Sequence, residues 1–206
     1  LPYFAGYSGR WASAPGIQLF TTSGVISQDT YLWRSDGTPA GTSVVAHLGI
    51  RWGGTVPLGH AGGVTTFVAG RGSMGPPYEC EVWRTDATAA GTVRVATIPG
   101  LIYGTRRWRG TNYFVTQSDN QAVLWKSDGT SAGTIALTEP GLPTLAYPQL
   151  VATDDALVLV CMSDASTVQF WKNTNGARNA QRRIGKVTVK TMQYPFLQQP
   201  FELPSR

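Results

Sequence analysis

The feature that most limits what this chain can become is a repeat. Leu32-Trp33-Arg34-Ser35-Asp36-Gly37-Thr38-Pro39-Ala40-Gly41-Thr42 aligns without gaps on Val82-Trp83-Arg84-Thr85-Asp86-Ala87-Thr88-Ala89-Ala90-Gly91-Thr92 and on Leu124-Trp125-Lys126-Ser127-Asp128-Gly129-Thr130-Ser131-Ala132-Gly133-Thr134. Each copy runs on into a β-rich stretch: Ser43-Val44-Val45, Val93-Arg94-Val95 and Ile135-Ala136-Leu137. A fourth, degenerate copy starts at Phe170-Trp171-Lys172, passes through Asn175-Gly176 and resumes at Ile184 and Val187-Thr188-Val189, without the Asp and the second Gly-Thr. A second apolar run precedes each Trp: Ile17-Gln18-Leu19-Phe20, Thr66-Phe67-Val68-Ala69, Tyr113-Phe114-Val115 and Leu157-Val158-Leu159-Val160. A weaker extended stretch comes before each of those. One unit therefore reads as four short strands joined by tight turns, with a period of about 46 residues, which is the content of one propeller blade.

Composition agrees. Charged residues make up 14% of the 206, against about a quarter in ordinary domains, while 24 Gly, 13 Pro and seven Trp suit many short strands and turns. The expected fold class is all-β: a propeller of four blades, each of four antiparallel strands. The expected blades are 1–48, 49–98, 99–139 and 140–192, followed by a Pro-rich tail at 193–206. The alternative is an open arc of a larger or multi-chain propeller. The tail segment Tyr194-Pro195-Phe196-Leu197 is expected to pin the ring by packing on the first blade. Ala156–Met162 is the longest apolar run, and a membrane-spanning helix needs about 20 residues. Cys80 and Cys161 could form one bridge or stay free.

The motif Trp-(Arg/Lys)-(Ser/Thr)-Asp-Gly-Thr-x-Ala-Gly-Thr resembles the ELWxxDGT repeat of secreted bacterial proteins. The match is good over 31–48, 81–98 and 123–137 and poor over 169–190. The resemblance implies a propeller-like, exported protein, extracellular, periplasmic or at the cell surface, and no defined activity. Ala87 in place of the turn Gly, and the loss of the turn motif after Trp171, depart from the pattern.

The repeated residues read as structural. Trp33, Trp83, Trp125 and Trp171 are expected to begin the third strand of each unit and to fill the wedge between blades. Asp36, Asp86 and Asp128 are expected to accept backbone N–H groups in the turns. A calcium loop gathers several carboxylates and carbonyls, and one Asp per turn is too few, so no metal and no cofactor is expected.

Candidate ligand-binding residues come from a second, weaker recurrence. Arg10-Trp11, Arg51-Trp52 and Arg107-Trp108 each precede a second-strand run, and Tyr147-Pro148 takes the corresponding place in the fourth unit. Such segments gather around a propeller axis. Trp11, Arg51, Trp52, Arg107, Trp108, Arg109 and Tyr147 would then form an aromatic platform for sugar faces, with Arg for carboxylate, sulfate or phosphate. The competing reading is inter-blade packing with Arg stems lying over the rings.

Charge is uneven. Formal net charge is +5, and no acidic residue lies between Asp164 and Glu202. Lys172, Arg178, Arg182, Arg183, Lys186 and Lys190 fall in that stretch. Arg178, Arg182, Arg183, Lys186 and Lys190 make a candidate face for an anionic partner. The plain alternative is a solvated edge whose cations deter strand pairing.

Motifs for catalysis are absent: His47 and His60 have no metal-ligand spacing, and there is no G-x-S-x-G, H-E-x-x-H or phosphate loop. The expectation is therefore a protein that is not an enzyme. It is read as a non-catalytic extracellular binding module for a carbohydrate or anionic surface polymer. The alternative is a structural scaffold subunit of a surface or envelope assembly, docked to protein partners through the basic fourth blade and tail. Nucleic acid is the weakest candidate partner.

Overall fold

The computed structural model describes residues 11–12, 16–24, 29–50, 54–71, 77–138, 142–144, 148–164, 166–178 and 180–188. They form four antiparallel sheets, each taken up in chain order. The first holds β1 (Trp11–Ala12), β2 (Gln18–Ser23), β3 (Asp29–Ser35) and β4 (Ser43–Ile50). The second holds β5 (Thr55–Ala61), β6 (Val64–Arg71), β7 (Glu79–Thr85) and β8 (Val93–Pro99). The third holds β9 (Leu101–Trp108), β10 (Thr111–Ser118), β11 (Gln121–Ser127) and the short β12 (Ile135–Ala136), with β13 (Leu142–Pro143) pairing further along β11. The fourth holds β14 (Gln149–Ala152), β15 (Leu157–Met162), β16 (Thr167–Asn173) and β17 (Arg182–Thr188). The leading strand β9 lies against both β5 and β14, so the first strands of successive sheets gather about one axis. The chain is an all-β propeller built of four-stranded blades.

Turn chemistry sets the hairpins. Gly62-Gly63, Arg109-Gly110 and Asp119-Asn120 each take two consecutive positive φ angles, the geometry that two-residue hairpin loops need to match strand twist. The repeated turn is built from side chains. Asp36 Oδ1 accepts from the Thr38 N–H at 2.9 Å and the Thr38 hydroxyl at 2.7 Å. Ser35 Oγ accepts from the Gly37 N–H, and the Thr38 hydroxyl oxygen accepts from the Gly41 N–H. The same bonds recur on Asp86 and Thr88 and on Asp128 and Thr130. A Cβ on Gly41, Gly91 or Gly133 would overlap that carboxylate, which explains the Gly of the trailing Ala-Gly-Thr. Ala87 stands where the other copies have Gly and takes the same left-handed backbone, φ 70°.

The fourth turn is rebuilt with amides. Asn173 Oδ1 accepts from the N–H groups of Asn175 and Gly176, and Asn175 Oδ1 accepts from Ala177. Asn173 takes the place of the Ser, and Asn175, one residue further along than the Asp, takes its part.

Each Trp stands near the end of its third strand, not at its start, because polar residues (Asp29, Glu79, Gln121, Thr167) open those strands. Trp33, Trp83 and Trp125 stack on Phe20, Phe67 and Phe114 of the neighbouring strand, centroids 6.2, 6.3 and 6.2 Å apart. The cores are the seams between blades. Leu19, Leu32, Val45 and Leu48 of the first blade meet Phe67, Ala69, Ala87 and Trp83 of the second. Val68, Cys80, Val82 and Ile98 meet Phe114 and Trp125 of the third. Val115, Leu124 and Leu137 meet Leu157, Leu159, Cys161 and Trp171 of the fourth. Cys80 and Cys161 are free, buried thiols in different seams. The tail at 193–206 lies outside the described residues.

Candidate functional site

Alternation along β9 sends neighbouring side chains to opposite faces of the blade, and it divides the Arg-Trp-Arg cluster between two seams. Arg107 turns toward the second blade, where its Nη1 donates to the His60 carbonyl at 2.7 Å. Trp108 turns toward the fourth. It is 6% exposed, edge-on to Tyr113, and its Nε1 donates to the Thr153 carbonyl at 2.8 Å. Arg109 sits in the β9–β10 hairpin with its guanidinium carbon 4.4 Å from the Trp108 ring centroid and its Nη2 reaching the Asp154 carbonyl. Trp108 is thus an inter-blade packing residue covered by Arg109. Only the backbone of Trp11 is described, pairing with Leu19. Arg51, Trp52 and Tyr147 lie outside the described residues; of the rest of the expected platform the structure brings together Trp108 and Arg109 and sets Arg107 apart in another seam.

Arg107 lines a cavity of about 130 Å³ at the end of the seam between the second and third blades. Gly59 and Thr66 line it from the second blade, and Asn112, Ser127 and Asp128 from the third. The register of β5 slips between Pro57 and Gly59, which sets Gly59 opposite Asn112. A Cβ at Gly59 would overlap Asn112 Oδ1 and come 3.2 Å from Arg107 Nη1. The missing side chain makes room for the Asn112 amide oxygen beside the cavity. Asn112 is 8% exposed, and its Oδ1 is buried without a hydrogen-bond partner. The Thr130 hydroxyl and Thr130 N–H hold the Asp128 carboxyl below the ordinary carboxylate range, so it is charged at neutral pH. The cavity therefore combines a fixed cation, a fixed anion, an unsatisfied acceptor and the hydroxyls of Thr66 and Ser127.

Arg107 was legible as a candidate in the sequence, and Asp128 as a turn residue. Asn112, Gly59 and Thr66 were not. The one available signal was an Asn inside a strand, where that residue is depleted. Arg178, Arg182, Arg183 and Lys186 are exposed, the last three on β17, and Lys190 lies outside the described residues. Among the described residues no group of three or more His, Cys, Asp or Glu could hold a metal ion.

No family model matches the chain, and no curated protein matches it. Among solved structures, the chain is similar to a GH43_1 enzyme from Xanthomonas citri complexed with xylose: 10% identity, 90% of this chain, 76% of that one, TM-score 0.46. It is similar to a GH43 β-xylosidase/α-arabinofuranosidase from a compost microbial metagenome in complex with xylotriose: 9% identity, 89% and 79%, TM-score 0.43. A third is the exo-β-1,3-galactanase of Phanerochaete chrysosporium with galactose: 11% identity, 88% and 50%, TM-score 0.46.

All three are enzymes acting on carbohydrate. The expectations of a non-catalytic binding module or scaffold, and of a protein that is not an enzyme, are corrected on that finding and not retained. They rested on the absence of linear motifs. Glycoside chemistry needs carboxylates that a fold brings together from separate strands, and these leave no spacing signature.

Proposed function

We propose that this chain is a carbohydrate-directed propeller that seats a saccharide in the cavity between its second and third blades. The observation that carries the reading is Asn112 Oδ1, a buried acceptor with no partner. Such a group costs about 1–3 kcal/mol unless something donates to it. A sugar hydroxyl both donates and accepts. It can give a proton to Asn112 Oδ1 or to the Asp128 carboxylate while taking one from Arg107. The Asp128 charge disfavours phosphate or sulfate there, which separates a neutral saccharide from the anionic ligands that the basic composition suggested. The repeated turn, similar to that of exported ELWxxDGT proteins, supports a location outside the cytoplasm.

The test is titration calorimetry with xylotriose and galactotriose, the same mixtures being followed for released reducing sugar. One of the two is expected to bind, and Arg107→Ala to weaken it about tenfold, the loss of a hydrogen bond to a charged group. Asn112→Leu is expected to abolish binding while leaving the melting temperature equal or higher, because an apolar isostere removes the unsatisfied oxygen. Asn112→Leu binding as well as the parent chain would overturn the assignment.

A further inference from the structure

The three seams share one plan, and the two ends of the blade series carry its unmatched halves. Every seam joins the forward face of one sheet to the rear face of the next, where the Trp lies, stacked on Phe67 or Phe114 in the first two seams and paired with Leu159 in the third. The second strands of the middle blades, β6 and β10, are buried on both faces along most of their length. The second strands of the end blades are not. In β15 residues alternate strictly between buried and half-buried. Leu157, Leu159 and Cys161 pack rearward, and Val158 and Val160 face forward with no blade beyond them among the described residues. A strand apolar on both faces is the pattern of one covered on both sides.

Bulges mark equivalent positions in the last strands of three blades. In the first, second and fourth blades the register of the last strand slips next to the Trp, and the extra residues are Val45, Val95 and Ile184. Val45 is 5% exposed, whereas Ile184 is 58% exposed. Val187 pairs with Val168 as Ile98 pairs with Cys80, three residues before the Trp in each case. Ile98 is 4% exposed and Val187 is 52%. At the other end, Phe67 and Phe114 are fully buried against the blade before them, while Phe20 is half-buried.

We propose that the forward face of the fourth blade docks on the rear face of the first blade of a second copy of this chain, repeating the inter-blade seam between molecules. Continuity with the seams within the chain, two of which seat a stacked Phe–Trp pair, identifies the occupant: a sheet presenting such a pair, which Phe20 and Trp33 supply. The contact is heterologous, with different surfaces on the two copies, so each copy keeps one free face until a ring closes.

The experiment is light scattering on the intact chain across a wide concentration range, with thermal unfolding of every variant. The parent chain is expected to form species heavier than 22.1 kDa as concentration rises. Ile184→Asp/Val187→Asp and Phe20→Asp are each expected to stay folded and monomeric. Val187→Lys, on a strand already exposed along its length, is the milder second variant. Mixing the two monomeric variants is expected to restore a two-chain species, since each keeps the face that the other lacks. A parent chain monomeric at all concentrations overturns the proposal, and so does a mixture that stays monomeric. Ile184→Asp/Val187→Asp melting below the parent at a concentration where the parent is itself monomeric would mean that this face is covered within one molecule, which overturns it as well.

Discussion

Trp171 carries an indole N–H that is buried with no acceptor. In the first and third blades the corresponding Trp donates to a Thr hydroxyl, Trp33 to Thr22 and Trp125 to Thr116, both at 2.9 Å. That Thr lies two residues after the stacking Phe. In the second blade the position is Ala69, and Trp83 turns to Glu81, which also holds Arg94 at 2.9 Å. In the fourth it is Cys161. Cys161→Thr is therefore expected to add about 1 kcal/mol by satisfying the indole. That would raise the melting temperature by about 2–4 °C for a chain of this size; calorimetry checks it. The turn aspartates give a second prediction. Asp36, Asp86 and Asp128 have carboxyl pKa values held below 3.8, first by the Thr hydroxyl and then by the Thr N–H. A depressed folded value means stability present above the unfolded pKa and lost as pH falls through the folded one. Melting temperature is expected to be flat near neutrality and to fall below about pH 4. Asn at all three positions keeps the acceptor oxygen and should flatten the acid limb. The role of these carboxylates could be read from the sequence because Asp two residues before Thr is a local arrangement. The Thr partners of Trp33 and Trp125 could not, since each comes from the neighbouring strand.

Gly100 alone separates β8 from β9. Its φ is +92°, its N–H donates to the Tyr78 carbonyl, and an added Cβ would lie 2.6 Å from the Gln117 carbonyl oxygen. Gly100→Ala combines an unfavourable backbone with a collision against backbone that cannot rotate away. It is expected to destabilise by about 2–4 kcal/mol, measured by urea unfolding. Gly110→Ala, with φ +77° but open space around it, should cost only the backbone share, about 1 kcal/mol. Elements of this kind were legible in proportion to how local they are. The repeated turn and the apolar second strands showed in the linear pattern. The turn after Trp171 did not, because Asn173 and Asn175 reproduce it with an inserted residue and amides for Ser and Asp. The cavity was hidden for a different reason: Gly59 and Asn112 meet only after a register slip that no residue pattern marks.

The blade count and the four-stranded plan follow from the repeat. Which faces end up bare does not, because exposure of Ile184 or Phe20 depends on what stands next to the whole sheet. Cohesion between blades can be followed by the two thiols. Burial pushes Cys80 and Cys161 up to about 12, and for Cys80 Glu81 and then Glu79 add to the rise. Neither thiol is expected to react with an alkylating reagent in the native state at neutral pH, since the thiolate is the nucleophile. Under partial denaturation Cys161, in the seam of an end blade, should be labelled before Cys80, which lies between two inner sheets. Mass spectrometry of pulse-labelled peptides measures that order. Equal labelling rates would mean that the four sheets open together.

The three Asp-Thr turns satisfy themselves almost wholly within eight residues, from Ser35 to Thr42 and its counterparts. Closing so short a loop is fast, whereas pairing between blades must wait for distant chain. A ribosome would therefore release each of the first three hairpins already bent, one after another. Each seam would zip only when the next bend had emerged. Order of synthesis, more than any single contact, would then keep near-identical repeats from pairing out of turn.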